Sequence, residues 1–427
     1  MSLYTTLYTG VTGLNTNSQD LSVTGDNIAN ANTIGFKQSR AAFEDVLGKS
    51  LISGAGETGL GARLQQVQKI LTQGALTHTG MATDLALQGK GFFVVDTPDG
   101  DMYTRNGQFT IDEDGDLVTL NGLKVQGFDA DANGNVSGTM GTMNIGDAAM
   151  QPSATTEISI QGNLPSGQPT NPEWALNGGF DINNERTYDF TTSITMYDSL
   201  GEAHEATVYF SKGIGNTWEY NVATDGANLE GGTPGTMELI DGGNLEFDGQ
   251  GGLVNHSQNG FPGFNPLGAL QPQTVTFNFG DPADPTVPGM TGNASPFGVR
   301  FVGGDGYGAG ELASIQFDDE GNVVGAFTNG ETQVLGQLAI ADFAAPDELM
   351  RAGGNLFSVS PGSGDPNIGT AGTGGRGHVV GGALEQSNVD LAGEFVRMIV
   401  AQRGFQANSK AINTADQLLG ELMQMKR

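Results

Sequence analysis

Apolar side chains recur at strict intervals of seven at both ends of this chain and almost nowhere between. The first series is Leu7, Leu14, Leu21 and Ile28; the second is Leu391, Met398, Phe405, Ile412 and Leu419, widened by Phe395. A period of seven places each series on one stripe of a slightly underwound helix, which is the seam of a left-handed coiled coil. The two ends are therefore expected to meet as helices, and these ten residues are the expected contact and assembly interface.

Neither helix reads as self-sufficient. Gly10, Gly13 and Gly25 each weaken the first by roughly 1 kcal/mol relative to alanine, and its opposite face, Asn15 to Asp20, is polar without charge pairs. Isolated helices of this kind are marginal in water, so it needs neighbours. The second is expected to start after Ser387 or Asn388, either of which could cap it. Val396, Ile399 and Val400 add apolar surface beyond one stripe, so this helix is expected to touch more than one partner.

Between the ends the period changes. At 427 residues the chain exceeds one ordinary core. Its 68 glycines and repeated Asn-Gly and Asp-Gly pairs signal short strands joined by tight turns. Phe92 to Val95 and Met102 to Arg105 flank Asp99-Gly100, and Asn121-Gly122 marks another hairpin. Further on, Ile194 and Met196 alternate against Ala206, Val208 and Phe210. The expected fold is multidomain α+β: a terminal α-helical coiled coil plus two mainly-β domains, the outer inserted in the inner. The expected boundaries are helices at 1–32 and 383–427, extended linker arms at 33–75 and 362–382, an inner β domain at 76–149 and 313–361, and an outer one at 150–312.

A formal charge of −30 argues against nucleic acid as a partner. Cysteine is absent, which excludes disulfides and thiol chemistry. No apolar run is long enough for a membrane-spanning helix, and the start lacks the basic and apolar segments of a cleaved secretory signal. Catalytic patterns fail as well. His204-Glu205 lacks the second histidine of a zinc peptidase, and no Gly-x-Ser-x-Gly elbow occurs. We therefore expect no enzyme and no cofactor. Asp129, Asp131 and Asn133 match the start of a calcium loop whose twelfth position, Met140, is not an acid. A hydrophilic turn explains them better; a secreted calcium- or glycan-binding β protein is the reading that would use them.

The segment Leu21-Ser22-Val23-Thr24-Gly25-Asp26-Asn27-Ile28-Ala29-Asn30-Ala31-Asn32-Thr33-Ile34-Gly35-Phe36-Lys37 resembles the N-terminal signature of the flagellar rod and hook axial protein family. Ala383-Leu384-Glu385-Gln386-Ser387-Asn388-Val389-Asp390-Leu391 and the helix that follows are similar to that family's C-terminal signature. Asp84 to Phe93 and Tyr103 to Gly107 resemble both branches, whereas Ile194 to His204 resembles the outer domain of the hook branch. The resemblance implies a subunit that assembles helically into a flexible curved tube, the universal joint passing motor torque to the filament. It also implies terminal helices inside, β domains outside, and export without a cleaved signal peptide to an extracellular position. Implied partners are other copies of the chain, rod, hook-cap and hook-filament junction proteins, and the export apparatus. A distal rod protein with an enlarged insert is the alternative.

Overall fold

The structure, a computed structural model, describes residues 3–46, 59–131, 134–146, 148–259, 263–284 and 287–425. The chain is mainly β, framed by helices Leu3–Ala29 and Leu391–Met425. It divides into two compact units: Met1–Ala148 with Ala313–Ala326 and Thr332–Arg427, and Ala149–Leu312 with Phe327–Glu331.

The first unit holds a six-stranded sheet in the order Met350–Gly353, Leu356–Ser358, Gly100–Thr104, Phe92–Thr97, Ile340–Asp342, Asn367–Gly369. The hairpin at Asp99-Gly100 forms its centre, with Val94 opposite Tyr103. Gly100 turns the chain at a φ of 106°, a conformation that side chains with a Cβ resist. Phe92, Val94, Tyr103, Ala341, Phe343 and Phe357 fill one core. Tyr103 and Phe343 meet edge to face at 4.8 Å, as ring quadrupoles favour.

On the same unit Asp116 accepts hydrogen bonds from the Lys124 ammonium and from Asn144 Nδ2. The Lys124 bond outweighs burial and, with Asn144, holds this carboxyl below its ordinary 3.8. A depressed carboxylate pKa contributes stability that is complete above the unfolded value and fades as pH falls through the folded one. Asp116→Asn should therefore lower the melting temperature at neutral pH, and the gap to wild type should close below about pH 4. A gap that stays constant in a pH series of thermal melts would remove Asp116 from the acid response.

The second unit is built on a five-stranded antiparallel sheet, in sequence order: Phe190–Tyr197, Ala203–Lys212, Thr217–Asp225, Met237–Phe247, Leu253–Gln258. Alternation along the first two strands puts Ile194, Met196, Ala206, Val208 and Phe210 on the buried face. Glu157–Asn163 runs antiparallel to Gly298–Gly304 and parallel to Thr276–Asn278 and Met290–Thr291. Trp218, Tyr220, Phe277 and Phe279 pack in the shared core.

The expected linker arms are not slack. Within 33–75, Ser39–Asp45 pairs with Ala62–Lys69. Within 362–382, Asn367–Gly369 joins the six-stranded sheet and His378–Gly381 pairs with Leu85–Gln88. Glycine-rich sequence was misleading because Gly372, Gly374 and Gly375, at φ of 70°, 59° and 88°, make tight turns between strands too short to show a period. The last helix also starts later than 383, since Ala383–Glu385 is a strand paired with Leu76–His78. Its cap is Asp390, whose Oδ1 accepts the Ala392 N–H at 3.1 Å, not Ser387 or Asn388.

The calcium reading finds a turn. Asp131 Oδ1 accepts the Asn135 N–H at 2.9 Å and closes the hairpin between Gln126–Ala130 and Val136–Thr142. Asp129 lies on the first of those strands, opposite Gly336, and Asn133 is outside the described residues.

Candidate assembly interface

The two terminal helices pack antiparallel, through small and polar residues. A Cβ on Gly10 would come within 2.8 Å of Ile412, one on Gly13 within 2.6 Å of Asn408, and one on Gly404 within 2.5 Å of Asn17. Farther along, Asn27 Nδ2 donates to Glu394 Oε2 at 3.1 Å. On the last helix the residues turned inward are Glu394, Ala401, Asn408 and Ala415, themselves seven apart; Glu394, Ala401 and Ala415 are buried. This close approach accounts for Gly10, Gly13 and Gly404, which helix propensity alone penalises, whereas a Cβ on Gly25 would meet nothing within 4 Å.

Of the apolar sevens, Ile412 enters that seam against Gly10, and none of the ten is fully buried in the single chain. Leu7, Leu14, Leu21, Ile28, Met398, Ile412 and Leu419 are half-buried, Ile412 by crossing Gly10. Leu391, Phe395 and Phe405 are exposed. Phe395 at 52%, Val396 at 61%, Ile399 at 50% and Val400 at 65% form an apolar stretch of helix facing solvent in the single chain. Sequence periodicity finds a stripe but cannot say which neighbour covers it.

The helix pair is fastened by a polar knot built from the two signature segments. Asn27, fully buried, donates to the Ser39 carbonyl at 2.8 Å and accepts the Ser39 N–H at 2.9 Å. This ties the first helix to the hairpin Ser39–Asp45/Ala62–Lys69, a neighbour from its own chain. Asn388 accepts the Gln38 N–H at 2.8 Å and donates to the carbonyls of Ile70 and Thr72 at 2.8 and 3.0 Å. Below them Glu385 sits between two cations, Lys37 Nζ at 2.6 Å and Arg105 Nη1 at 3.3 Å, with all three side chains at most 5% exposed. Other donors reach carbonyls, Lys37 to Thr72 and Arg105 to Leu87 and Gly89, while the buried Arg105 Nε finds no acceptor. Burial pushes the Lys37 ammonium below its usual range, with Glu385 opposing and Arg105 adding to the shift. The Arg105 guanidinium is likewise lowered by burial.

The other signature residues shape the bend that leads into this knot. Asn30 Nδ2 donates back to Asp26, and Thr33 Oγ1 donates to Asn30 Oδ1 at 3.1 Å. Phe36 is buried under the Arg351 guanidinium, 4.7 Å from its ring centre. Ala29 and Asn32 are exposed, and Ser387 accepts the Val389 N–H at 3.4 Å. Gly35 has a φ of 70°, and a Cβ there would lie 2.6 Å from the Arg105 backbone. Gly35→Ala is expected to cost about 1–3 kcal/mol in urea unfolding; an unchanged midpoint would show that the bend is not held at this point. Glu385 and Arg105 stand in the conspicuous segments, but nothing in their spacing signals that they meet Lys37.

No helix among the described residues is long and apolar enough to cross a membrane. Four family models match the chain. They are the Flagella basal body rod protein at residues 7–37, the Flagellar hook protein FlgE/F/G D1 domain at 86–163, the Flagellar basal body protein FlaE D2 domain at 163–307, and the Flagellar basal body rod FlgEFG protein C-terminal at 380–425. The chain is 35% identical to the flagellar hook protein FlgE of Escherichia coli (strain K12), covering 97% of this chain and 98% of that one. It is 34% identical to the flagellar hook protein FlgE of Brucella abortus biovar 1, covering 100% of both. With the flagellar hook protein FlgE of Treponema pallidum it shares 32% identity over 99% of each.

Proposed function

The chain belongs to the flagellar hook protein family, and from that premise we propose that its terminal helix pair is the contact through which copies polymerise. It is a structural subunit of the flagellar hook, and self-polymerisation is the family's mode of action. The observation that carries the contact assignment is the exposed apolar stretch Phe395, Val396, Ile399 and Val400 beside the half-exposed sevens. Apolar side chains on an exposed helix face gain from burial when a further neighbour covers them. Patches of this kind mark interaction sites.

In this reading the polar seam makes a hairpin of the two ends within one chain, and the apolar flank is spent between chains. The ten residues Leu7, Leu14, Leu21, Ile28, Leu391, Phe395, Met398, Phe405, Ile412 and Leu419 then serve assembly more than the monomer. The helices form the inner wall of a tube, the β units face outward, and bending is carried by reversible polar contacts among those outer units. The chain carries out no catalysis. It leaves the cell without a cleaved signal, stands outside the cell, and contacts rod, cap and junction proteins at its two limits.

Electron microscopy of the purified full chain under assembling conditions tests this directly. Tubes are the expected result. Amorphous aggregates, or tubes that persist when residues 391–427 are removed, would reject the helix pair as the contact. A deletion strain should retain complete rods and lack external hooks.

A further inference from the structure

The second unit buries a lysine that no carboxylate touches directly, Asp189 attracting its charge only through space. From Val125 to Met350 the only basic residues are Arg186, Lys212 and Arg300. Lys212 ends the strand Ala203–Lys212 with 3% exposure, and its ammonium lies 5.0 Å from the centre of the Trp218 ring. Among the described residues nothing accepts a hydrogen bond from that ammonium, and no carboxylate forms an ion pair with it. The nearby acids are occupied. Asp189 Oδ2 accepts the backbone N–H of Lys212 at 2.8 Å, and its Oδ1 accepts Gln168 and Asn171, each at 3.2 Å. Asp248 Oδ1 accepts the N–H groups of Gln250 and Gly252, each at 2.8 Å.

A mostly buried cation with no bonded carboxylate is costly, and this one is left with the indole face and the field of Asp189. Lys212 borders a cavity of about 250 Å³ whose wall also includes Trp218, Ser166, Asn216, Asn293 and the turn Asp248–Gly251. The cavity has room for a carboxylate-bearing side chain. One ammonium without an arginine fork, beside two carboxylates, suits a singly charged carboxylate better than a phosphate dianion. The indole face stabilises the same cation from the other side.

We propose that this cavity is a carboxylate-binding site anchored by Lys212, and that in the polymer an Asp or Glu side chain of a second copy fills it. The chain offers 48 acidic residues against 18 lysines and arginines, so carboxylates abound on every neighbouring copy. The second half of the proposal rests on the self-assembly reading; the site itself does not.

The test uses the full-length monomer, with chloride replaced by acetate or by inorganic phosphate at constant ionic strength, followed by thermal melting. Acetate should raise the melting midpoint of the second unit and should leave Lys212→Met unmoved. In chloride, K212M should melt about 2–4 °C above wild type, because the unpaired charge is gone. If K212M folds poorly, Asn293→Asp places a carboxylate in the cavity and should abolish the acetate response. Polymers of K212M that dissociate more readily than wild type assign the natural carboxylate to a second copy. Equal polymers together with an acetate effect assign it to a free carboxylate and reject the second-copy half. Acetate acting equally on K212M, phosphate acting without acetate, or no shift with either anion and unchanged polymers would overturn the site. Failure of wild type to polymerise would count against the assembly reading and leave the acetate result to decide this one.

Discussion

Glu385→Ala should lower the stability of the free monomer by about 3–5 kcal/mol, the cost of leaving buried cations without their counter-charge. Lys37 and Arg105 share that one carboxylate. Neither can turn to water, since their side chains are 1% and 5% exposed. Glu385 Oε1 also accepts the Gly74 N–H at 2.8 Å, so the change orphans a backbone donor as well. Glu385→Gln keeps the shape and part of the hydrogen bonding and should fall between. Urea unfolding of the three proteins decides the matter; a loss under about 1 kcal/mol for the alanine variant would mean that water enters the knot and screens it. The chain near residue 37 and the chain near residue 385 are joined by this cluster, by the Gly35 N–H to the Glu385 carbonyl at 2.8 Å and by Asn388. Loss of the knot should therefore loosen both helices in one transition.

The second large effect concerns assembly instead of folding. Ile399→Asp and Val400→Asp replace side chains that are 50% and 65% exposed in the single chain, and should change monomer stability by no more than about 0.5 kcal/mol. Each should abolish polymerisation, because a carboxylate buried in an apolar contact has no partner. Ala401→Leu is the opposite case. Ala401 is 2% exposed and turned toward the first helix, so the larger side chain should destabilise the monomer by about 1–3 kcal/mol through overpacking. Light scattering of assembling solutions, alongside melts of the monomers, separates the two classes. If the flank variants polymerise normally, the exposed apolar stretch faces something other than a second copy.

These two classes invert what periodicity alone suggests. The sevens at Leu7 and at Leu391 were legible because apolar side chains stand out against polar ones. The seven-residue series Glu394, Ala401, Asn408 and Ala415 has no such contrast, and only the close approach of Gly10 and Gly13 reveals it as the packed seam. The hairpins at Asp99-Gly100 and across Ile194 to Phe210 were legible for a related reason: alternation and turn dipeptides are local signals. The strands at Asn367–Gly369 and Ala383–Glu385 were not, since three residues carry no period and their glycines read as slack.

The order of amino acids determined, without coordinates, that this chain is a helix-framed β protein with no thiol chemistry. Its signature segments and matched relatives placed it among hook subunits. Those are properties of local pattern and composition. Tertiary structure alone decided that Lys37, Arg105 and Glu385 share one site, that Asn27 ties helix to hairpin, and that Lys212 is left facing a cavity. Such facts depend on residues brought together from distant parts of the chain, and burial sets their energies; neither distance in space nor loss of water is written in one sequence.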